Sequence, residues 1–501
     1  MCGATRTARF VATSIGIIMA QQLNGPLLEQ SAAALSRAIH ARELSCREWM
    51  QATLEQIDRL NPRFNAIVSR VDANDVLTQA DVCDRELAAG HSRGWMHGFP
   101  MAIKDLVDTA GVPTVRGSPL LAGNIPQQDH LMVQRMKAAG GILIGKTNTP
   151  EFGLGSHTFN PVFGITRNAY DPAMSAGGSS GGAAVALALR LLPVADGSDM
   201  MGSLRNPAAF NNVFGLRPSQ GRVPSWPKPD VWISSMGTEG PMGRSVEDVA
   251  HLLAIQAGRD DRVPLSLPGQ WPGQKLDLAL DLRAVRIGWL GNLGGYLPME
   301  DGILPICASL LARLAADGCH VEDALPAFDP ALVWQTWLTW RRWLVAGSLR
   351  EYWDVPASRA QLKPAAQWEA EQGERLSARE VQTAAAQRSR FYQQILGMFG
   401  HYDYLALPSA QVWPFEAELD WPESIAGRPM DTYHRWMEVV IYATLAGLPA
   451  VSVPAGFGAI GMPMGLQLIG RPQADLDVLR IARACEERSV DTLSRRPLAL
   501  G

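Results

Sequence analysis

From Ser31 to Leu60 the apolar residues recur at spacings of three, four or five: Ala34, Leu35, Ala38 and Ile39, then Trp49, Leu54 and Ile57. That period predicts helix. Further along, short apolar runs alternate with helical stretches. His130 to Ala139 reads as an amphipathic helix, and Gly140-Gly141 leads from it into the strand-like Ile142-Leu143-Ile144. Ala183 to Leu189 reads as a helix and Leu192 to Ala195 as a strand. The order then reverses: Ala284 to Leu290 reads as a strand, and Ile303 to Ala315 as a helix. Near the C-terminal end, Ala450 to Val453 and Leu466 to Ile469 read as strands, and Ala474 to Glu487 as a closing helix. Strands alternating with helices predict α/β layers around a mainly parallel or mixed sheet.

Leu332 to Trp353 breaks this rhythm. Trp334, Trp337, Trp340 and Trp343 fall at every third residue. On a helix each such step drifts by about 60°, so the rings sweep about half the circumference. Two readings stand: a helix buried in the core, or one wall of an apolar pocket. From Pro356 the composition turns to Ala, Gln, Glu and Arg, which predicts surface-like helices over 357–399. Asp260 to Gln274, rich in Pro and Gly, reads as a connector. Residues 1–25 read as an N-terminal extension. Arg6 and Arg9 precede an apolar run from Phe10 to Ala20, a weakly signal-like pattern, with Met19 as an alternative initiator. A run of about 11 residues is too short to span a membrane.

The 501 residues are 47% hydrophobic and 19% charged, a globular balance that excludes a disordered chain. A formal net charge of −4 leaves no basic surplus to neutralise phosphates, so nucleic-acid binding is not the main task. The 6 cysteines are scattered without a CxxC pair. They argue against a disulfide framework or a zinc-thiolate site and suit the cytoplasm. The 9 histidines include no HExxH or ligand-like cluster, so neither a metal nor another cofactor is expected. Lysine is rare: Lys104, Lys137, Lys146, Lys228, Lys275 and Lys363 complete the set.

The most informative stretch runs from Ser175 through Gly177, Gly178, Ser179, Ser180, Gly181 and Gly182. Glycines around two serines let the backbone approach a ligand and aim several N–H groups together. The helix that follows would add a favourable N-terminus for negative charge. A flexible linker, a nucleophile elbow and one part of a composite site all compete here. The elbow needs a strand directly before its serine, whereas Arg167 to Met174 reads as loop. A second polar turn, Asp196 to Pro207, holds Ser203 after a strand end, where α/β sheets place chemistry. Lys104 closes the apolar run from Gly98; partial desolvation there favours its neutral amine. Lys146 ends a similar run, Ile142 to Gly145, and is a rival base.

Together these residues resemble the amidase signature family of hydrolases. The likeness runs through Met101 to Asp105, Gly145 to Phe152, the Gly177–Gly182 segment and Asp199 to Pro207. It continues through Gly215 to Pro224, Gly240 to Ser245, Ala446 to Pro454 and Gly465 to Pro472. The resemblance implies one large α/β/α domain with a mixed central sheet over 26–495. It implies a triad: Ser203 as nucleophile, Ser179 after a cis peptide bond as the bridge, and Lys104 as base. Backbone N–H groups of Met200, Met201, Gly202 and Ser203 would form the oxyanion hole. Gly178, Ser180, Asp199 and Arg205 would support the turns. The position of Lys104 in the family pattern favours it over Lys146.

The chemistry is coherent. An amide carbonyl is a poor electrophile, and a serine hydroxyl is weak until a base takes its proton. Lysine serves only when neutral; moving its pKa from about 10.4 toward 7 costs about 4–5 kcal/mol. Ser179 can accept from Ser203, donate to Lys104, and reverse the relay to protonate the leaving amine. Two departures stand out. Met201 replaces the family's usual glycine, and Asn211-Asn212 stands where the family often has Cys-Gly. A Cβ at position 201 disfavours positive φ, so the oxyanion turn is expected to differ slightly.

The expected function is hydrolysis of a small-molecule carboxamide to acid plus ammonia or amine, with an apolar or aromatic acyl group. The alternative is the glutaminase component of a tRNA-dependent amidotransferase. A catalytically silent family member is a third reading. The resemblance also implies a homodimer, and nothing in the composition points to a membrane partner.

Overall fold

The computed structural model describes residues 27–268 and 276–501. The extension read over 1–25 and the end of the Asp260–Gln274 connector lie outside the described residues.

The strands that frame the site are, in chain order, β1 (Ile67–Val68), β2 (Pro100–Lys104), β3 (Ile142–Thr147), β4 (Val194–Asp199), β5 (Phe214–Arg217) and β6 (Thr238–Gly243). They continue as β7 (Arg286–Trp289), β8 (His320–Asp323), β9 (Tyr404–Pro408), β10 (Ala450–Phe457) and β11 (Pro463–Gly470). The large sheet has the order β8-β7-β9-β11-β10-β5-β6-β4. It is mixed: β8 and β9 run parallel to β7, and the neighbours from β9 onward are antiparallel. Of the two sheet types expected, the mixed one is formed.

A small sheet, β1-β3-β2, lies beside the β4 edge. Its link to that edge is a side chain: the Lys104 N–H donates to the Asp196 carboxylate at 3.2 Å. The carboxylate therefore takes the place of a ladder acceptor and holds the end of β2 against β4.

Helices cover both sheets. Cys46–Phe64 opens with a capping box in which Ser45 accepts the Glu48 N–H and Glu48 returns to the Ser45 N–H. Gly181–Ala188 is apolar all round and buried along its length, the pattern of a helix inside a core. Pro330–Trp353 starts with Pro330 in its first turn, capped by Asp329. The packing forms two large apolar clusters. One contains Ile103, Ala183 and Leu187; the other contains Leu216, Leu405 and Leu466.

The first half of the tryptophan series is core packing, and Trp340 and Trp343 are half-buried. Trp334 and Trp337 are 1% and 0% exposed, and Trp340 packs edge-on against Trp343 at 5.3 Å. What this helix turns toward the serines is a different stripe, Arg341, Val345 and Ser348. Spacings of four and three put those residues on one face.

Candidate active site

β2 ends at Lys104, whose side chain is fully buried. Its Nζ donates to Ser179 Oγ at 2.8 Å, to Ser180 Oγ at 2.8 Å and to Ser198 Oγ at 3.0 Å. Burial pushes the Lys104 pKa down to about 7, against the opposing pull of Asp196, Asp199 and Glu239. A neutral amine has two N–H donors and one lone pair, so one of the three hydroxyls can donate to it.

Ser179 follows a cis Gly178–Ser179 peptide bond and is 2% exposed. Its loop is held from several sides. Thr158 Oγ1 donates to the Gly177 carbonyl at 2.8 Å and accepts the Gly181 N–H at 3.2 Å. Asn206 Oδ1 accepts the Gly178 N–H at 3.2 Å. It also lies 2.6 Å from where a Cβ on Gly177 would stand, at φ +71, so only glycine fits. Ser175 Oγ accepts the Gly177 N–H at 3.1 Å and lies 2.8 Å from His157 Nδ1. Burial pushes the His157 pKa down to about 4, leaving a neutral ring. Its Nε2 donates to the Ala417 carbonyl, so its Nδ1 accepts from Ser175.

Ser203 lies in the turn that follows β4 and is 7% exposed. The Ser180 N–H donates to the Ser203 carbonyl at 3.2 Å and joins the two serine loops. Ser179, Ser198, Met200, Met201 and Ser203 line one cavity of about 160 Å³, closed by the Arg341 helix. Among the described residues no hydrogen bond links the Ser179 and Ser203 hydroxyls.

Asp199 and Arg205 order this turn. Asp199 accepts the Gly202 N–H at 2.9 Å and the Leu204 N–H at 3.2 Å. Arg205 clamps the same carboxylate with two bonds of 3.0 Å, and Arg217 stands 3.7 Å from it. All three side chains are fully buried. Burial pushes the Asp199 pKa up, but the two guanidiniums outweigh it and hold the carboxyl at about 2. Within the turn the Gly202 N–H is bonded to Asp199, whereas the amides of Met200, Met201 and Ser203 lie outside the turn's own hydrogen bonds. Positive φ falls on Gly202, at +77, and not on Met201.

Lys146 does not reach the serines. Its Nζ donates to the Val107 carbonyl at 2.6 Å and to Thr109 and Thr114 Oγ1 at 3.0 Å. Ser198, Asp196 and Arg217 took no part in the sequence-derived site. A signal for the first two was available: positions 196 and 198 share one face of a strand, and that face meets Lys104. Arg217 lay within a quoted motif but carried no local cue to its distant partner. Cys83, Glu86 and His97 lie close enough together to hold a metal ion. However, Glu86 pairs with Arg93, and both His97 nitrogens have protein partners. The chemistry of this set is that of a structural network.

Comparisons with known proteins identify the family. A family model described as Amidase matches residues 48–479. The chain is 39% identical over 310 residues to a Glutamyl-tRNA(Gln) amidotransferase component of Acidothermus cellulolyticus, over 60% of this chain and 61% of that protein. It therefore spans about three fifths of that relative's length. It is 33% identical to an acylamidase of Rhodococcus erythropolis, over 85% of this chain and 88% of that one. The structure of a bacterial aryl acylamidase of the amidase signature family superposes with a TM-score of 0.86 at 28% identity, covering 94% of this chain and 99% of that chain. The fold and site define an α/β protein with a buried lysine set among serines. The chain belongs to the amidase family.

Proposed function

We propose that this protein is an amidase that hydrolyses a small carboxamide to a carboxylic acid plus ammonia or an amine. The carrying observation is the 2.8 Å contact of Lys104 Nζ with Ser179 Oγ, in the cavity that Ser203 also lines. Ser203 Oγ attacks the amide carbonyl and forms the acyl-enzyme. Ser179 takes the Ser203 proton and passes its own to the neutral Lys104 amine. The relay then runs backward to protonate the leaving nitrogen, and water releases the acid by the same route. The Met200, Met201 and Ser203 amides stabilise the oxyanion, each donor worth about 2.7–4 kcal/mol in comparable sites. The similarity to an acylamidase across 88% of its length supports this reading.

The amidotransferase relative supports a second reading, a glutaminase acting within a larger complex. Glutamine carries a free carboxylate and ammonium that need charged recognition. The guanidinium lining the serine cavity, Arg341, is already paired with Glu369 and hydrogen-bonded to Tyr433. That neutralised group favours the stand-alone amidase. A cytoplasmic location and a homodimer belong to the same proposal. Among the described residues no helix is long and apolar enough to cross a membrane.

A serine-directed phosphonate tests the assignment. Peptide mapping is expected to find the adduct on Ser203 and to lose it in Ser203→Ala. An adduct elsewhere overturns the triad, and no adduct at all revives the silent-member reading. Turnover of phenylacetamide against glutamine by the purified chain separates amidase from glutaminase.

A further inference from the structure

Beside the serine cavity lies a larger one of about 420 Å³, and the two share Leu154, Gly155 and Ser156. The strip between them runs alongside the proposed bridge: a Cβ built on Gly153 would stand 3.7 Å from Ser179 Oγ. The wall of the larger cavity is aromatic. Trp368, Trp421 and Trp436 line it, together with Phe159 and Tyr433. Trp436 is buried, and the other two tryptophans are half-buried. Two hydroxyls in this wall, Ser156 Oγ and Thr432 Oγ1, are buried and have no hydrogen-bond partner among the described residues. A buried hydroxyl without a partner costs about 1–3 kcal/mol, so these are positions where a ligand's polar atom would restore a bond. Lys363 supplies a cation, its Nζ donating to the Leu154 carbonyl at 2.5 Å. Asp420 and Asp431, both exposed, place negative charge among the lining groups.

The geometry points to this cavity as the side-group subsite for a planar aromatic ring carrying a hydrogen-bonding atom, joined by a short spacer to the amide cleaved at Ser203. This rests on the amidase reading and deepens it. The serine cavity, at about 160 Å³, holds little more than the carboxamide and its spacer. Any ring must therefore pass Ser156 into the aromatic space. Flat rings gain from stacking against tryptophan faces. The two acids disfavour anionic side groups, and the Lys363 ammonium is already bonded to a carbonyl.

The test compares kcat/KM for phenylacetamide, 4-hydroxyphenylacetamide, acetanilide and hexanamide. The proteins are wild type, Trp421→Ala and Trp368→Ala, with thermal melts as the folding control. Wild type is expected to prefer at least one ring-bearing amide over hexanamide by about tenfold or more. Acetanilide tells whether the ring belongs on the amine or the acyl side. Both variants are expected to lose that preference through a raised KM for the ring-bearing amide. Folded variants that retain the wild-type ratio overturn the subsite. If no amide is turned over, the amidase reading itself fails. Calorimetry of phenylacetamide on Ser203→Ala then decides the subsite alone: saturable binding abolished by adding Trp421→Ala sustains it, and no binding overturns it.

Discussion

Lys104 and Lys146 stand one register step apart on paired strands, and they face opposite ways. Lys146 is opposite Ile103 in the β2–β3 ladder, and Lys104 is opposite Thr147. Successive strand residues alternate faces, so the pleat sends Lys104 toward the serines and Lys146 toward Val107, Thr109 and Thr114. Lys104→Met is expected to lower kcat by about a thousandfold or more, as for other members of a nucleophile–base unit. Lys146→Met removes three buried N–H···O bonds, although Thr109 and Thr114 keep their hydroxyl bonds to the Val107 and Val112 carbonyls. It is expected to lower the melting temperature and keep most of the turnover per folded molecule. Equal losses of kcat in the two variants would overturn the assignment of the base.

The pH profile follows from the same lysine. Only the neutral amine accepts a proton, and burial places the Lys104 pKa at about 7. kcat/KM is therefore expected to rise along a single limb with an apparent pKa near 7 between about pH 5 and pH 9. Stability carries the same sign. Above about 7 the folded chain has released this proton, while the unfolded chain holds it up to 10.5. The unfolded state binds more protons in that window, so the contribution of Lys104 to stability grows as pH rises through it. Asp196 and Asp105 act oppositely: burial raises both to about 6, so their contribution is lost as pH rises from 3.8 toward 6. A flat kcat/KM profile across neutral pH would refute the neutral-amine mechanism.

The serine loops were legible because they are local. Glycine punctuation around Ser179 and Ser180 and the turn holding Ser203 are short-range patterns; the structure brings Ser179 and Ser180 to Lys104, and Ser203 to the cavity that Ser179 also lines. The sheet was only partly legible. β6 contains Gly-Pro and reads as turn, and β9 is buried along its whole length. Strands covered on both faces lose the alternation that marks them. The tryptophan series left two readings open for a related reason. A spacing of three fixes the angular spread of the rings and says nothing of what each angle meets. The aromatic cavity is instead built from Trp368, Trp421 and Trp436, which lie on separate segments. No sequence period joins them.

The buried Asp199–Arg205–Arg217 cluster predicts a cost that a same-size change removing the negative charge exposes. Asp199→Asn keeps the volume and removes the one carboxylate that both guanidiniums face. Leaving buried cations uncompensated typically costs about 3–5 kcal/mol. Urea unfolding is expected to show a loss of that size, with turnover reduced because the turn carrying Ser203 loses its clamp. Asp199→Asn combined with Arg205→Met is expected to recover part of the stability. A single variant within about 1 kcal/mol of wild type would show that the cluster is not a structural clamp.

Gly202 concentrates two constraints that a paired substitution can separate. Its φ of +77 is a conformation that residues with a Cβ rarely adopt, and an added Cβ would stand 2.7 Å from Val440 Cγ2. Gly202→Ala is expected to lower kcat/KM by about a hundredfold, because the turn that aims the neighbouring amides must shift. Val440→Ala opens the space and leaves the backbone requirement untouched. The double variant Gly202→Ala, Val440→Ala is therefore expected to regain some thermal stability over Gly202→Ala but little of its activity. Full recovery of activity in the double variant would mean that crowding against Val440, and not the left-handed backbone at position 202, is what the glycine avoids.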